Sequence, residues 1–273
     1  MRNAGPAGLA MLLKKASLVG AFFVGVIWQL PALAFCPAPV DPQRVSVRQV
    51  VDGDTLRLED GRSVRLIGLN APEIGRKGRA SEAFAETARQ RLQALVKASG
   101  GEVGLVPGVE SRDKYGRTLA HIYGRSGDNF EARLLSEGLG YRVAVAPNVD
   151  LSGCQQQAER TARQQGVGVW RRSPVVSSAQ VQQSGFAIIS GKVMGIERNR
   201  GGIWIEIDSA LVLQVPAKLQ RNFPASFFDG LKGRTIEARG WVLDRSRKGG
   251  LKQGQRRWLL PLTDPSMLER VSG

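Results

Sequence analysis

VSVRQVVDGDTLRLEDGRSVRLIG, residues 45–68, sets the architecture of this chain. Residues 45–51 and 55–59 are rich in Val, Leu and Thr and flank Asp52-Gly53, a dipeptide that favours a tight hairpin turn. A third strand follows over 63–68. Working outward, residues 81–98 place Phe84, Ala88, Leu92, Leu95 and Val96 on one face at helical spacing. Strands are predicted over 102–107 and 118–123. Helices are predicted over 129–137 and 150–165, the second stopped by Gly166.

A second segment repeats the order. Residues 174–185, PVVSSAQVQQSG, are polar and without core periodicity, and read as a linker. Beyond it, strands are predicted over 187–194, 203–207 and 211–215, a helix within 216–228, and strands over 235–243 and 257–262. Both segments thus read β-β-β-α-β-β, the order of the OB-fold, a five-stranded barrel that often binds oligonucleotides. A sandwich is the competing arrangement; a single helix in the same slot of both segments argues against it. The expected fold class is α+β, mainly β with helices: one OB barrel over 35–173 and a smaller OB-like barrel over 186–273.

Residues 1–34 contain no acid. Arg2, Lys14 and Lys15 precede an apolar run ending in Ala32-Leu33-Ala34, the pattern of a secretory signal peptide cut before Phe35. An uncleaved anchor is the alternative, because the run approaches the ~20 residues that span a bilayer. Cleavage predicts a periplasmic or secreted protein with no stable membrane span. Cys36 and Cys154, the only cysteines, would then sit in an oxidising compartment and form a disulfide, two buried thiols being the alternative. Closing so long a loop is worth about 4–5 kcal/mol in the chain-entropy model.

The chain has 273 residues, 42% of them hydrophobic, with 39 Lys and Arg against 24 Asp and Glu. A core is within reach, and the basic excess points to a polyanionic partner. One histidine and two cysteines exclude HExxH zinc hydrolysis, zinc fingers, iron–sulfur clusters and any site built on several histidines. Chemistry must rest on carboxylates, arginines, hydroxyls or a hard metal. His121, at an alternating position of the strand-like LAHIY run, reads as a barrel-wall residue.

Three stretches supply such groups. VVDGDT carries Asp52 and Asp54. VRLIGLNAPE, residues 64–73, carries Arg65 in a strand otherwise built for burial, where a guanidinium is costly unless it meets an anion. Glu73 follows at the strand end. DKYGR, residues 113–117, brings Lys114, Tyr115 and Arg117 ahead of another strand.

Taken with Gly168-Val169-Trp170, these motifs resemble the staphylococcal nuclease (thermonuclease) family over roughly residues 45–171. The resemblance implies a Ca²⁺-assisted phosphodiesterase on a decorated OB barrel, cutting DNA and also RNA, and leaving 3′-phosphate ends. It implies that Arg65 and Arg117 clamp the phosphoryl oxygens and that Glu73 orients or deprotonates the attacking water. Asp54 would ligate the metal, with Asp52 behind it and the Ala71 carbonyl as a further ligand. Lys114 and Tyr115 match residues that hold a terminal phosphate. Two positions depart from the family. Its second metal carboxylate falls at Asn70, an amide. Its base-stacking tyrosines fall at Ala144 and Ala146.

Substrate is then expected to be held elsewhere. The second segment carries Trp204 and Trp241 on the polar side of their strands, beside a loop with Arg245, Arg247 and Lys248. Such rings and charges suit single-stranded nucleic acid. The expected substrate is single-stranded or frayed, because bases must splay to reach a shallow barrel site. The rival reading is a catalytically weak or inactive nucleic-acid-binding module that keeps the fold.

Overall fold

Alternating apolar residues close the first barrel. In a computed structural model that describes residues 36–38, 42–76, 78–247, 250–251 and 253–271, the strands are β1 (Gln43–Asp52), β2 (Thr55–Leu58), β3 (Ser63–Leu66) and the short β4 (Leu69–Asn70). After α1 (Ala85–Ala98) come β5 (Glu102–Arg112) and β6 (Thr118–Tyr123). They pair in the closed order β1-β2-β3-β6-β5, with β3 and β6 parallel. Leu56, Val64, Leu66, Val103, Leu105 and Ile122 fill the interior and the inner face of α1 seals it with Ala88 and Leu92. The segment 1–34, expected to be a signal peptide, and Lys248 lie outside the described residues.

The Asp52–Asp54 hairpin is pressed against the rest of the barrel. A Cβ on Gly53 would come within 2.6 Å of the Ala71 Cβ and 2.7 Å of the Ala88 Cβ. Only glycine permits that approach, which fixes the two flanking carboxylates beside the Asn70–Ala71 segment.

Helix α1 starts later than its apolar spacing predicts, at Ala85. The preceding residues have another task. The Gly75 N–H donates to Ser81 Oγ at 3.0 Å and the Glu73 N–H to the Glu82 carboxylate at 2.9 Å, pinning the loop that carries Glu73. Beyond β6 follow α2 (Phe130–Ser136), β7 (Tyr141–Arg142) and α3 (Ser152–Gln165), the last ending at Gly166 in the left-handed conformation. Cys36 and Cys154 are joined in a disulfide with Cα atoms 5.4 Å apart, so the pair is not two free thiols. His121 is buried in the wall, its Nδ1 3.5 Å from the Glu131 carboxylate.

The stretch 174–185 is more than a linker. β8 (Val175–Ser177) pairs in parallel with the first strand of the second barrel, and Ser178 is buried. That barrel comprises β9 (Gly185–Asn199), β10 (Gly202–Ile207), β11 (Leu211–Pro216), β12 (Thr235–Asp244) and β13 (Trp258–Pro261), followed by β14 (Leu268–Arg270). Pairings of β9 with β10, β10 with β11, β11 with β13, β13 with β12 and β12 with β9 close it, again with one parallel pair, β11–β13. The two barrels share one topology. The expected helix between β11 and β12 is instead two 3₁₀ turns, Ala217–Asn222 and Ala225–Phe228. Pro224 is the cause: it holds Phe223 in an extended conformation and breaks the run.

Helix α3 is the element the barrels share. Its buried positions include Gln155 and Glu159 as well as Ala158 and Ala162. Arg163 pairs with Glu237 of β12 through two contacts of 2.8 and 2.7 Å, and Gln156 donates to Glu269 of β14 at 2.8 Å. Beside this polar seam, Ala162, Trp170 and Ile188 pack with Tyr141 and Phe186.

Candidate functional site

Arg65 is the hub of the site. It stands on β3 between Val64 and Leu66, which point into the core, so its own side chain faces the other way. Its Nη1 lies 2.6 Å from Asp54 Oδ2, and its Nη2 donates to Asn70 Oδ1 at 3.3 Å. Asp54 is buried, and three groups reach its carboxylate: the Arg65 guanidinium, the main chain of Ala71 and the hydroxyl of Thr55. The Ala71 N–H donates to Oδ2 at 2.8 Å and the Thr55 hydroxyl to Oδ1 at 3.0 Å. Asp52 stands behind it, accepting the Asp54 N–H at 3.1 Å.

Burial pushes the Asp54 carboxyl up to about 7; the Arg65 guanidinium opposes that rise, and Asp52 reinforces it. A carboxylate held out of water at this cost is a position that gains from a nearby cation. Asp54, Asn70 and the Ala71 carbonyl offer only oxygen donors, which suit a hard ion such as Ca²⁺ and not zinc. Among the described residues no group of three or more His, Cys, Asp or Glu is gathered for a metal. Asn70 puts an amide, not a carboxylate, beside Arg65 at this place.

Arg117 reaches the cleft from the turn before β6. Asp113 anchors it through the side chain at 2.7 Å and the main-chain N–H at 2.9 Å. Its guanidinium and the Lys114 ammonium flank the Tyr115 ring, at 5.6 and 5.0 Å from the centroid. Tyr115 is exposed. Asp52, Asp54, Arg65, Asn70, Glu73, Lys114, Tyr115 and Arg117 all line one cavity of about 1150 Å³. These are residues that the sequence motifs singled out, and they share this one lining. Glu82, which fixes the Glu73 backbone, also lines the cavity and carried no signal in the sequence.

The tryptophans separate. Trp241 of β12 lines the cavity, whereas Trp204, Arg245 and Arg247 do not. Trp204 donates its indole N–H to Asn199 at 2.9 Å and lies 5.5 Å from the Arg245 guanidinium.

The family profile described as "Staphylococcal nuclease homologue" matches residues 63–172. A thermonuclease of Staphylococcus intermedius is 32% identical over 130 residues, covering 46% of this chain and 75% of that protein. The chain belongs to the staphylococcal nuclease family. Two further relatives come from Bacillus subtilis (strain 168). Endonuclease YncB is 30% identical over 139 residues, covering 49% of this chain and 64% of its own. The SPbeta prophage-derived endonuclease YokF is 30% identical over 138 residues, covering 49% of this chain and 46% of its own. The matches thus span less than two thirds of either endonuclease, and the nuclease-family profile ends before the second barrel.

Proposed function

We propose that the chain is an exported, Ca²⁺-dependent nuclease that hydrolyses single-stranded or frayed DNA, and RNA, leaving 3′-phosphate ends. The observation that carries this is the convergence of Glu73 with two arginines and Asp54 on one cleft. In the proposed reaction Glu73 accepts a proton as water bonds to phosphorus. The bond to the 5′ oxygen breaks, and that oxygen takes a proton from solvent. Arg65 and Arg117 neutralise the charge that gathers on the phosphoryl oxygens. A bound Ca²⁺, held by Asp54, Asn70 and the Ala71 carbonyl, would screen the same charge. Lys114 and Tyr115 would hold a neighbouring phosphate. The Cys36–Cys154 disulfide supports export. Among the described residues no helix is long and apolar enough to cross a membrane.

Incubating the protein with single-stranded DNA, with Ca²⁺ or with chelator, tests the reading. Cleavage is expected to need the metal and to fall about 10²-fold in Glu73→Gln, the lower end for a lost general base. Cleavage indifferent to both would refute the role of the site. Binding without any cleavage selects the inactive module.

Asn70 gives a separate prediction. Restoring an acid by Asn70→Asp adds a formal charge to the donor set. It is expected to lower the Ca²⁺ needed for half-maximal cleavage by about tenfold. An unchanged or higher requirement in a Ca²⁺ titration counts against Asn70 as a ligand.

A further inference from the structure

Ala144 and Ala146 stand where the family's stacking tyrosines fall, and the structure shows what fills that place. Ala144 is 1% exposed and belongs to the core of the second barrel. Its carbonyl accepts from the Thr263 hydroxyl at 2.9 Å, and the Ala146 N–H donates to that hydroxyl's Oγ1 at 3.2 Å. The second barrel thus packs directly on this segment.

The same docking delivers another ring. Trp241 is 39% exposed, yet it lines both the catalytic cavity and an adjoining one of about 880 Å³. Asn70, Glu73, Arg79 and Glu82 line both as well, so the two form one continuous groove. Trp241 is backed by a ladder of rings. Its centroid lies 5.6 Å from Phe186, which lies 5.4 Å from Tyr141, which lies 5.8 Å from Trp170. A rigid ring with one side packed and part of its surface open is suited to stacking a flat partner. Arg171 and Arg172 line the far part of the groove, and both are exposed. Their charge matches a phosphate backbone running out of the catalytic end.

We propose that Trp241, contributed by the second barrel, is the platform on which one base of a single-stranded substrate stacks beside the scissile phosphate. The proposal rests on the nuclease reading for the direction of the strand. It takes the chemistry of the occupant from the groove: a planar ring for Trp241 and a phosphodiester for the arginines. The second barrel is then part of the active site, and the missing tyrosines are replaced across the barrel interface.

The test uses the full chain in chelator, so that bound DNA is not cut. Fluorescence anisotropy gives Kd for a single-stranded oligonucleotide and for copies with one abasic position walked along it. Trp241→Ala is expected to weaken binding roughly five- to hundredfold, the range for one stacked base. Trp241→Phe is expected to stay within about threefold of wild type, because a ring is retained. One abasic position is expected to weaken the wild type by a similar factor and to leave Trp241→Ala no worse. A purely structural role for the ring would not produce that loss of sensitivity. Trp241→Ala within twofold of wild type overturns the proposal. So do abasic penalties that are the same in both proteins, and so does a wild type that does not bind single-stranded DNA. With Ca²⁺ restored, KM is expected to carry the change and kcat little of it. A protein that binds as described but never cuts refutes the nuclease reading and leaves the stacking site standing.

Discussion

Arg65→Lys is expected to lower kcat/KM on single-stranded DNA by about 10²–10³-fold while leaving the melting temperature nearly unchanged. The substitution keeps the charge, so Asp54 retains a cationic partner and the hairpin stays in place. What it removes is the planar fork. Arg65 uses Nη1 on Asp54 and Nη2 toward Asn70, and the fixed plane of the guanidinium sets where its remaining N–H groups point. An ammonium is a point charge on a flexible stem and cannot satisfy Asp54 while holding two phosphoryl oxygens. Because the transition state gathers charge on those oxygens, the loss should appear in kcat more than in KM. A rate within fivefold of wild type would show that Arg65 only neutralises Asp54 and does not touch the phosphate. Arg117 offers a contrast. Its anchor Asp113 is four residues away in the same turn, and that turn also holds the exposed Tyr115.

The candidate cleft was legible as a place because its lining residues travel in short local motifs. Asp52, Gly53 and Asp54 make a hairpin whose geometry follows from the turn itself. Arg65 declared itself as a charge in a buried strand. The barrels were legible for a similar reason: Ile203, Ile205 and Ile207 alternate, and each is buried. What was missed depends on residues far apart in the chain. The start of α1 is displaced because Ser81 and Glu82 serve the Glu73 loop across the turn, a use no periodicity reports. The second helix slot fails at one residue, Pro224, inside an otherwise permissive run. Val175–Ser177 reads as polar linker because its neighbours are Ser and Gln, yet it finds a strand edge on β9. Nothing in the local sequence marks Arg142, Glu159 and Arg239 for burial. Only the docking of two barrels buries them, and only that docking brings Trp241 to the cleft.

The seam between the barrels therefore carries the second large effect, in Glu159→Ala. Glu159 is 3% exposed and holds two partners at once: its Oε1 accepts the Arg142 N–H at 2.7 Å, and its Oε2 takes Arg239 Nη1 at 2.5 Å. Arg142 is wholly buried and donates to the Ser266 carbonyl at 2.6 Å. Burial pushes its guanidinium down to about 10, and the neighbouring Arg239 adds to the fall, while Glu159, Glu269 and Asp264 oppose it. Removing Glu159 leaves two like charges facing each other out of water with one fewer counter-ion. Breaking a buried pair in this way costs about 3–5 kcal/mol. For a unit of this size that corresponds to a fall of about 10 °C in melting temperature. Arg239 is two residues from Trp241 on β12, so loosening it should also weaken binding of single-stranded DNA below the melting transition. Arg163, half-exposed in its pair with Glu237, makes the control: Arg163→Ala is expected to cost 1 kcal/mol or about that, the scale of a partly solvated pair. If thermal unfolding ranks the two substitutions equally, Glu159 is not the centre of the seam. The docking would then rest on the apolar contacts of Trp170, Ile188 and Phe186 instead.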